Sequence, residues 1–474
     1  MSLVDTLYSV DDCIWYVAFA VIALIGIFAT ILLRGVQFRE LGEMVRNTFD
    51  LNKNPPPGKI SSFHVFCMSM GSRIGVGNIT GPVTAIITGG AGAIFWMWVF
   101  ATIGMATSFL ETTIGQIYKS PKKDGGFRGG PAYTMFNGLG KKKLGLILAF
   151  IMILMYLVGY VSGEAVSMAE ALNGVFDDHG IDGQWFTAIF ITVLAVIIVF
   201  LGVYRVADMS VWIVPAMALG WFIMCIVSIA LSGDGIIDAI CDIFHDAFSP
   251  PAVIGGGLGT AIMWGLKRGV WSNEAGIGTI TNLSSIADVK HPAQQGYTQG
   301  FGVLVDTLVS TMTALVFLSY SDVSGFIGNE DVESIECLQQ VFEDTIGSGI
   351  APALLTIFMF VFAFTCLMSD IVVAEGNLLL FGDNKWARLA LKILVVIVVF
   401  VFSWISSDYA FIALDVMMAI CAFFNAYLIL KLHRRGAEAY RDYRRQKKEG
   451  IEEPVFDPSC LSDQSGITAW KKQG

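Results

Sequence analysis

The chain of 474 residues is 55 % hydrophobic and only 15 % charged, with a mean hydropathy of +0.65. Soluble domains carry about 25 % charged residues, so a string of soluble domains is excluded, and the apolar residues fall into blocks of roughly 20, the length of a bilayer-spanning helix. The net charge of −10 is sorted by side of the membrane rather than gathered into a basic patch, and no nucleic-acid partner is expected.

Residues Met1 to Asp12 are acidic and lack the basic start of a cleavable signal peptide. Eleven spanning blocks follow, at roughly 13–34, 61–94, 95–118, 144–172, 184–203, 206–232, 252–286, 293–320, 348–381, 387–405 and 408–432. The expected fold is an all-α polytopic membrane protein with eleven transmembrane helices. The second and seventh blocks run to about 34 residues with Gly-rich interruptions, against roughly 20 for a simple span. Short amphipathic pieces fit at 36–50 and 235–248; in the latter Asp238, Asp242 and Asp246 recur every four residues, the wet face of an interfacial helix. Beyond Leu432 the tail is charged and reads as an amphipathic or disordered extension touching anionic headgroups.

Lys and Arg fill the segments 34–59, 119–143, 205, 290, 385–392 and 431–472, whereas 1–12, 173–184, 233–251, 320–347 and 405–408 contain none. The two sets alternate block by block. The positive-inside rule then puts the N-terminus outside and the C-terminus cytoplasmic, in a cell membrane. The eight Cys lie mostly in apolar blocks as small buried hydrophobes; Cys241 and Cys337 both fall in outside loops, which leaves a disulfide open.

Residues 71–82, Gly-Ser-Arg-Ile-Gly-Val-Gly-Asn-Ile-Thr-Gly-Pro, interrupt the second block with irregular backbone, which membranes tolerate only where protein buries it or a wet cavity adjoins it. A shift of 195 residues lays Arg73, Asn78, Gly81 and Thr84 on Arg268, Asn273, Gly276 and Thr279 of the seventh block. Each copy opens a set of five blocks, 61–232 and 252–432, in opposite orientation. Residues 1–60 form an extra helix and linker, and 433–474 a tail. Inverted repeats with paired broken helices mark secondary transporters that bind substrate near the midplane.

The outer half of the first broken helix should begin near Ile79 to Pro82, capped by Thr80 or Asn78. Its free amides, approachable past Gly75 and Gly77, suit a carboxylate. The inner half should end near Met70 to Arg73, with carbonyls that suit Na⁺. The mirror arrangement around Gly269 to Gly278 adds Gly269, Trp271, Ser272, Asn273 and Gly276 as substrate candidates. Among other intramembrane carboxylates, Glu111, Glu164, Asp306, Asp370 and Glu375 would each cost at least ~2.5 kcal/mol in lipid. Glu111 and Glu375 read as structural or interfacial. Asp306 either pairs with Arg73, Lys267 or Arg268 or serves transport. Glu274 reads as a lock on unwound backbone, and Arg73 with Arg268 as an inner gate at the cytoplasmic half. The run Phe95-Trp-Met-Trp98 reads as packing and interface anchoring.

Gly75-Val-Gly-Asn78, Gly89-Gly-Ala-Gly-Ala-Ile-Phe-Trp-Met-Trp98, Gly129-Gly-Pro-Ala-Tyr133, Gly265-Leu-Lys-Arg-Gly-Val-Trp-Ser-Asn-Glu-Ala-Gly276 and Val305-Asp-Thr307 resemble the signatures of the sodium:alanine symporter family, over residues 13 to 432. The resemblance implies a LeuT-type fold of five plus five inverted helices with one extra N-terminal helix. It implies Na⁺-driven uptake of alanine- or glycine-like amino acids, with the amides of Gly75 and Gly77 on the substrate carboxylate and Asn78 near sodium. Thr365 and Ser369 are implied as further sodium ligands. Residues 364–375 depart from the family pattern: Cys366 replaces a hydroxyl, and Asp370 stands where the family has a Trp that shapes the substrate pocket. A carboxylate there could pair a cationic substrate, bind the coupling cation, carry a proton or pair with a basic core residue. A channel is disfavoured by the paired breaks. An enzyme is disfavoured because no nucleophile–base or metal constellation is spaced for it.

Overall fold

The computed structural model describes residues 3–49, 58–178, 183–232, 235–248, 260–320, 323–328, 333–405 and 408–470, with side chains from Cys13 onward except at 175–178, 324 and 408–412. The architecture is all-helical apart from a two-stranded ribbon, β1 (Ser120–Pro121) against β2 (Phe127–Arg128). Among the described residues nine helices are long and apolar enough to cross a membrane. They are α1 (Leu3–Leu32), α4 (Gly92–Ile117), α5 (Lys142–Gly174), α6 (Gln184–Leu201), α7 (Val203–Ser232), α11 (Pro292–Leu318), α13 (Ala351–Leu378), α14 (Lys385–Trp404) and α15 (Asp408–Lys448). The second and seventh blocks are the two broken pairs. One is α2 (Ser62–Arg73) with α3 (Gly77–Gly89), the other α9 (Thr260–Asn273) with α10 (Ile280–Ser284). The start of the seventh block, 252–259, lies outside the described residues.

The helices approach closely because glycines face their partners, as lipid supplies no hydrophobic drive between helices. A side chain at Gly265 would meet the Trp96 Cβ at 2.8 Å, and one at Gly300 the Met105 carbonyl at 3.2 Å, so α9 and α11 both sit tightly on α4. The interfacial helix α8 (Gly235–Ala247) forms as the sequence suggests, but its third aspartate turns inward: Asp246 accepts from the Gly92 amide at 2.8 Å and caps α4. Asp238 and Asp242 stay exposed. Phe95, Trp96 and Trp98 pack on Phe244 and Phe248 of this region, the anchoring role read from sequence. Cys241 is exposed, Cys337 is buried, and both are free thiols.

The tail departs most from expectation. α15 continues through the charged stretch to Lys448, and the chain then folds back across the face that carries the basic loops. Phe456 donates its amide to the Lys290 carbonyl, and the Trp470 indole donates to the Gln116 carbonyl at 2.9 Å. Lys119, 1 % exposed, lies between the rings of Phe127 and Trp470 at 3.9 and 4.7 Å and donates to the Ala287 carbonyl. Burial pushes its ammonium down to about 7. On the same face Asp288 donates its amide to the Ile60 carbonyl and pairs with Lys59, tying the start of α2 to the segment after α10.

Candidate functional site

Each break is built from its own sequence. α2 ends when Ile74 bonds back to the Met70 carbonyl and Gly75 to the Arg73 carbonyl. The Asn78 side chain then reaches back and accepts from the Gly75 amide at 3.0 Å. α3 begins at Gly77, earlier than expected, so Pro82 lies inside the helix rather than in its first turn. A proline has no N–H for the carbonyl four residues before it; here that carbonyl, of Asn78, accepts from the Thr313 hydroxyl instead, at 3.0 Å. Thr80 is not a cap, since its hydroxyl bonds back to the Val76 carbonyl. Among the described residues, the amides of Val76 and Gly77 have no acceptor.

The second break has the same logic: the Asn273 side chain accepts from the Ala275 amide at 2.9 Å. Gly276 and Gly278 take φ of +92° and +89°, which a side chain would strain. Glu274 sits at φ +53°, uncommon for a residue with a Cβ and a mark of constrained functional backbone.

The two breaks meet through a saturated polar cluster. The Asn78 amide nitrogen donates to Asp306 Oδ1 at 2.7 Å and lies at 2.9 Å from the Ser272 hydroxyl and 3.0 Å from that of Ser310. Ser272 donates to the other oxygen of Asp306 at 2.7 Å. Asp306 is thus held by Asn78 and Ser272, not by a direct bond to Arg73, Lys267 or Arg268. Arg73 instead ties α2 to three neighbours, donating to the carbonyls of Asn273 and Gln299 and to the Ser108 hydroxyl. Arg268 does not join it. It lies against Gly81 of α3, over the Trp264 ring, with its Nε unpartnered, so the expected pairing of both arginines at one gate is corrected.

The hydroxyls expected near sodium line the other side of α2. Ser369 donates to the Met68 carbonyl at 2.9 Å, Thr365 lies beside Gly71, and Cys366 approaches the Ser72 and Ile74 carbonyls at 3.6 and 3.9 Å. The carbonyls facing α13 are therefore those of Met68, Ser72 and Ile74, whereas those of Met70 and Arg73 are spent within the chain turn. Asn78 bonds to α9 and α11 and makes no recorded bond to Thr365 or Ser369. Two substrate candidates settle elsewhere: Gly269 faces Met97, and Gly276 faces Ile22 and Thr107. Trp271 stays at the first break, its ring 3.9 Å from where a Gly77 side chain would stand, while its indole donates to Asp415 at 2.7 Å.

A second cluster was not visible as one in the sequence. A side chain on Gly75 would meet Cys366 Sγ at 3.0 Å and Glu164 Oε1 at 3.8 Å. Asp370, one turn beyond Cys366 on α13, is 1 % exposed, and neither of its oxygens has a hydrogen-bond partner. One oxygen each of Glu164 and Glu274 is likewise unpartnered. Glu111 also leaves one oxygen unpartnered, but its other accepts from Asn425, which also bonds the Gly276 carbonyl, a structural brace. Glu375 pairs loosely with Arg388 at 3.9 Å. A cavity of about 280 Å³ opens at the basic face between α10 and α13, lined by Ile60, Arg128, Asn282, Val373, Glu375 and Arg388.

The model of the sodium:alanine symporter family matches residues 1–458. The chain belongs to the sodium:alanine symporter family. It is 34 % identical over 99 % of its length to a putative sodium/proton-dependent alanine carrier of Bacillus subtilis (strain 168), 98 % of which is covered. It is 35 % identical to a probable sodium/glutamine symporter of the same organism, over 97 % of this chain and 94 % of that one. It is 32 % identical to a sodium/alanine symporter of Methanococcus maripaludis, over 78 % and 81 %. Among solved structures, MhsT in complex with L-phenylalanine superposes with a TM-score of 0.59 at 14 % identity, over 80 % of this chain and 92 % of that one, and shares the fold. This member of the family is a multi-pass membrane transporter of amino acids and not an enzyme.

Proposed function

We propose that this symporter couples inward movement of Na⁺ to uptake of a small, alanine- or glycine-like amino acid by alternating access. The observation that carries the reading is the meeting of two broken helices through Asn78, Ser272 and Asp306, beside unpartnered amides at Val76 and Gly77. Those amides, at the positive end of α3, receive the substrate carboxylate. Na⁺ sits between Thr365, Ser369 and the carbonyls at the end of α2, a set of oxygen donors suited to a hard cation. Arg73 is the lock that keeps α2 against α4, α9 and α11, and the cavity beside Val373 is the release path, one turn beyond Asp370. In this reading eleven helices form two inverted sets of five, 61–232 and 252–432, after one extra N-terminal helix. The N-terminus is outside and the tail cytoplasmic.

Counterflow of labelled alanine in proteoliposomes, with and without Na⁺, tests the reading: exchange should require Na⁺. Exchange that ignores Na⁺ and follows a pH gradient would replace the sodium part with proton coupling. A second reading, favoured by the unpartnered carboxylate of Asp370, is a cation- or proton-coupled carrier of a cationic amino acid or amine. The relatives, named for alanine and for glutamine, leave room for it.

A further inference from the structure

Glu164, Glu274 and Asp370 come from three separate elements, yet each acts electrostatically on the others, and for Glu164 and Asp370 the charged groups in reach are acids, with no basic residue. Between them, four carboxylate oxygens are buried without a hydrogen-bond partner. An isolated buried carboxylate costs several kcal/mol, so the group must gain a cation from outside the protein or surrender its charge. Among the described residues no three acidic, Cys or His side chains converge closely enough to hold a metal ion. Glu164 stands beside Gly75, next to the amides that await a carboxylate, and Asp370 lies one turn along α13 from Cys366, which also faces Gly75.

We infer that this site takes a small amino acid carrying a second ammonium group on its side chain. The inference rests on the amino-acid symport reading above and narrows its substrate. The α-carboxylate binds at Val76 and Gly77, and the side-chain ammonium, with three N–H donors, bonds Asp370 and Glu164. Glu274, held at its unusual φ, closes the third side. Alanine fills the same amides but leaves the acids as unpaired as in the empty site, so it forgoes the hydrogen bonds a second ammonium would make.

The test uses the full chain in proteoliposomes with an inward Na⁺ gradient, and labelled ornithine, 2,4-diaminobutyrate and alanine. One diamino acid should show a KM about tenfold or more below that of alanine, equivalent to ~1.4 kcal/mol. Asp370→Asn should raise the KM of the diamino acid about tenfold relative to that of alanine. Should that variant fold poorly by gel filtration, Glu164→Gln reads the same loss, and the wild-type KM ratio decides without either. Alanine uptake that no diamino acid matches or competes with overturns the inference and leaves symport standing. Uptake of none of the three overturns the symport reading and this inference together.

Discussion

Two polar clusters lie on either side of the same break, and they differ in how well they are satisfied. Around Asp306 both oxygens have donors within 2.7 Å, from Asn78 and Ser272, and Ser310 completes the set. Around Asp370 neither oxygen has a donor. A satisfied buried network holds one geometry, while an unsatisfied one favours whatever supplies the missing partner. The first cluster is therefore the joint that sets the two broken helices against each other. The second is where, on our proposal, cargo supplies the missing partners.

Asn78→Ala breaks the joint and should have the largest effect. It strips donors from Asp306 and the cap from Gly75, at about 1–3 kcal/mol for each buried group left unmade. Na⁺-dependent uptake should fall to background while the protein still elutes as a folded species in gel filtration. Thr365→Ala, beside Gly71 of α2, should raise the Na⁺ concentration for half-maximal uptake about tenfold, a loss of ~1.4 kcal/mol. Asp370→Trp should move selectivity toward small neutral amino acids, read as the KM ratio of ornithine to alanine; an unchanged ratio would make Asp370 structural.

The comparison also predicts opposite signs in stability without substrate. Asp306→Asn, which turns an acceptor into a competing donor, should destabilise the fold, whereas Asp370→Asn removes an unpaired charge and should stabilise it, each by about 1–3 kcal/mol and read as thermal midpoints shifted in opposite directions. Equal signs would mean that the clusters are alike. The smallest effect on transport lies far from both. Lys119 in its buried state loses its proton near 7, well below the ~10.4 of an exposed lysine, so the folded protein binds fewer protons than the unfolded chain between those values. Its contribution to stability should therefore rise as pH increases from about 7 to about 10, and Lys119→Met should flatten that rise in thermal melts at stepped pH.

The breaks were legible in the sequence because glycines, Asn78 and Pro82 interrupt an apolar run, and lipid forbids such a run unless protein covers it. The match of Asn78 with Asn273 was legible too, and both do cap their own breaks. What joins the breaks was not. Asp306 lies 228 residues from Asn78, and no local pattern says that they meet. Glu164 stood out for its cost in lipid, but nothing in its own helix places it beside Gly75. Arg268 was grouped with Arg73 because the two positions match when the repeats are aligned, yet in the fold it lies against Gly81 of α3. The tail misled in the other direction: its charges suggested a solvated extension, and the few apolar residues that pin it, Phe456, Leu461 and Trp470, were too sparse to form a period.

The central claim is that amino acid and Na⁺ move together through the paired breaks. It is tested most directly by following labelled alanine and ornithine into proteoliposomes under an inward Na⁺ gradient. The account predicts accumulation of at least one of them above its external concentration, collapsing when an ionophore dissipates the gradient. Equilibration of both without accumulation, whether or not Na⁺ is present, would contradict it.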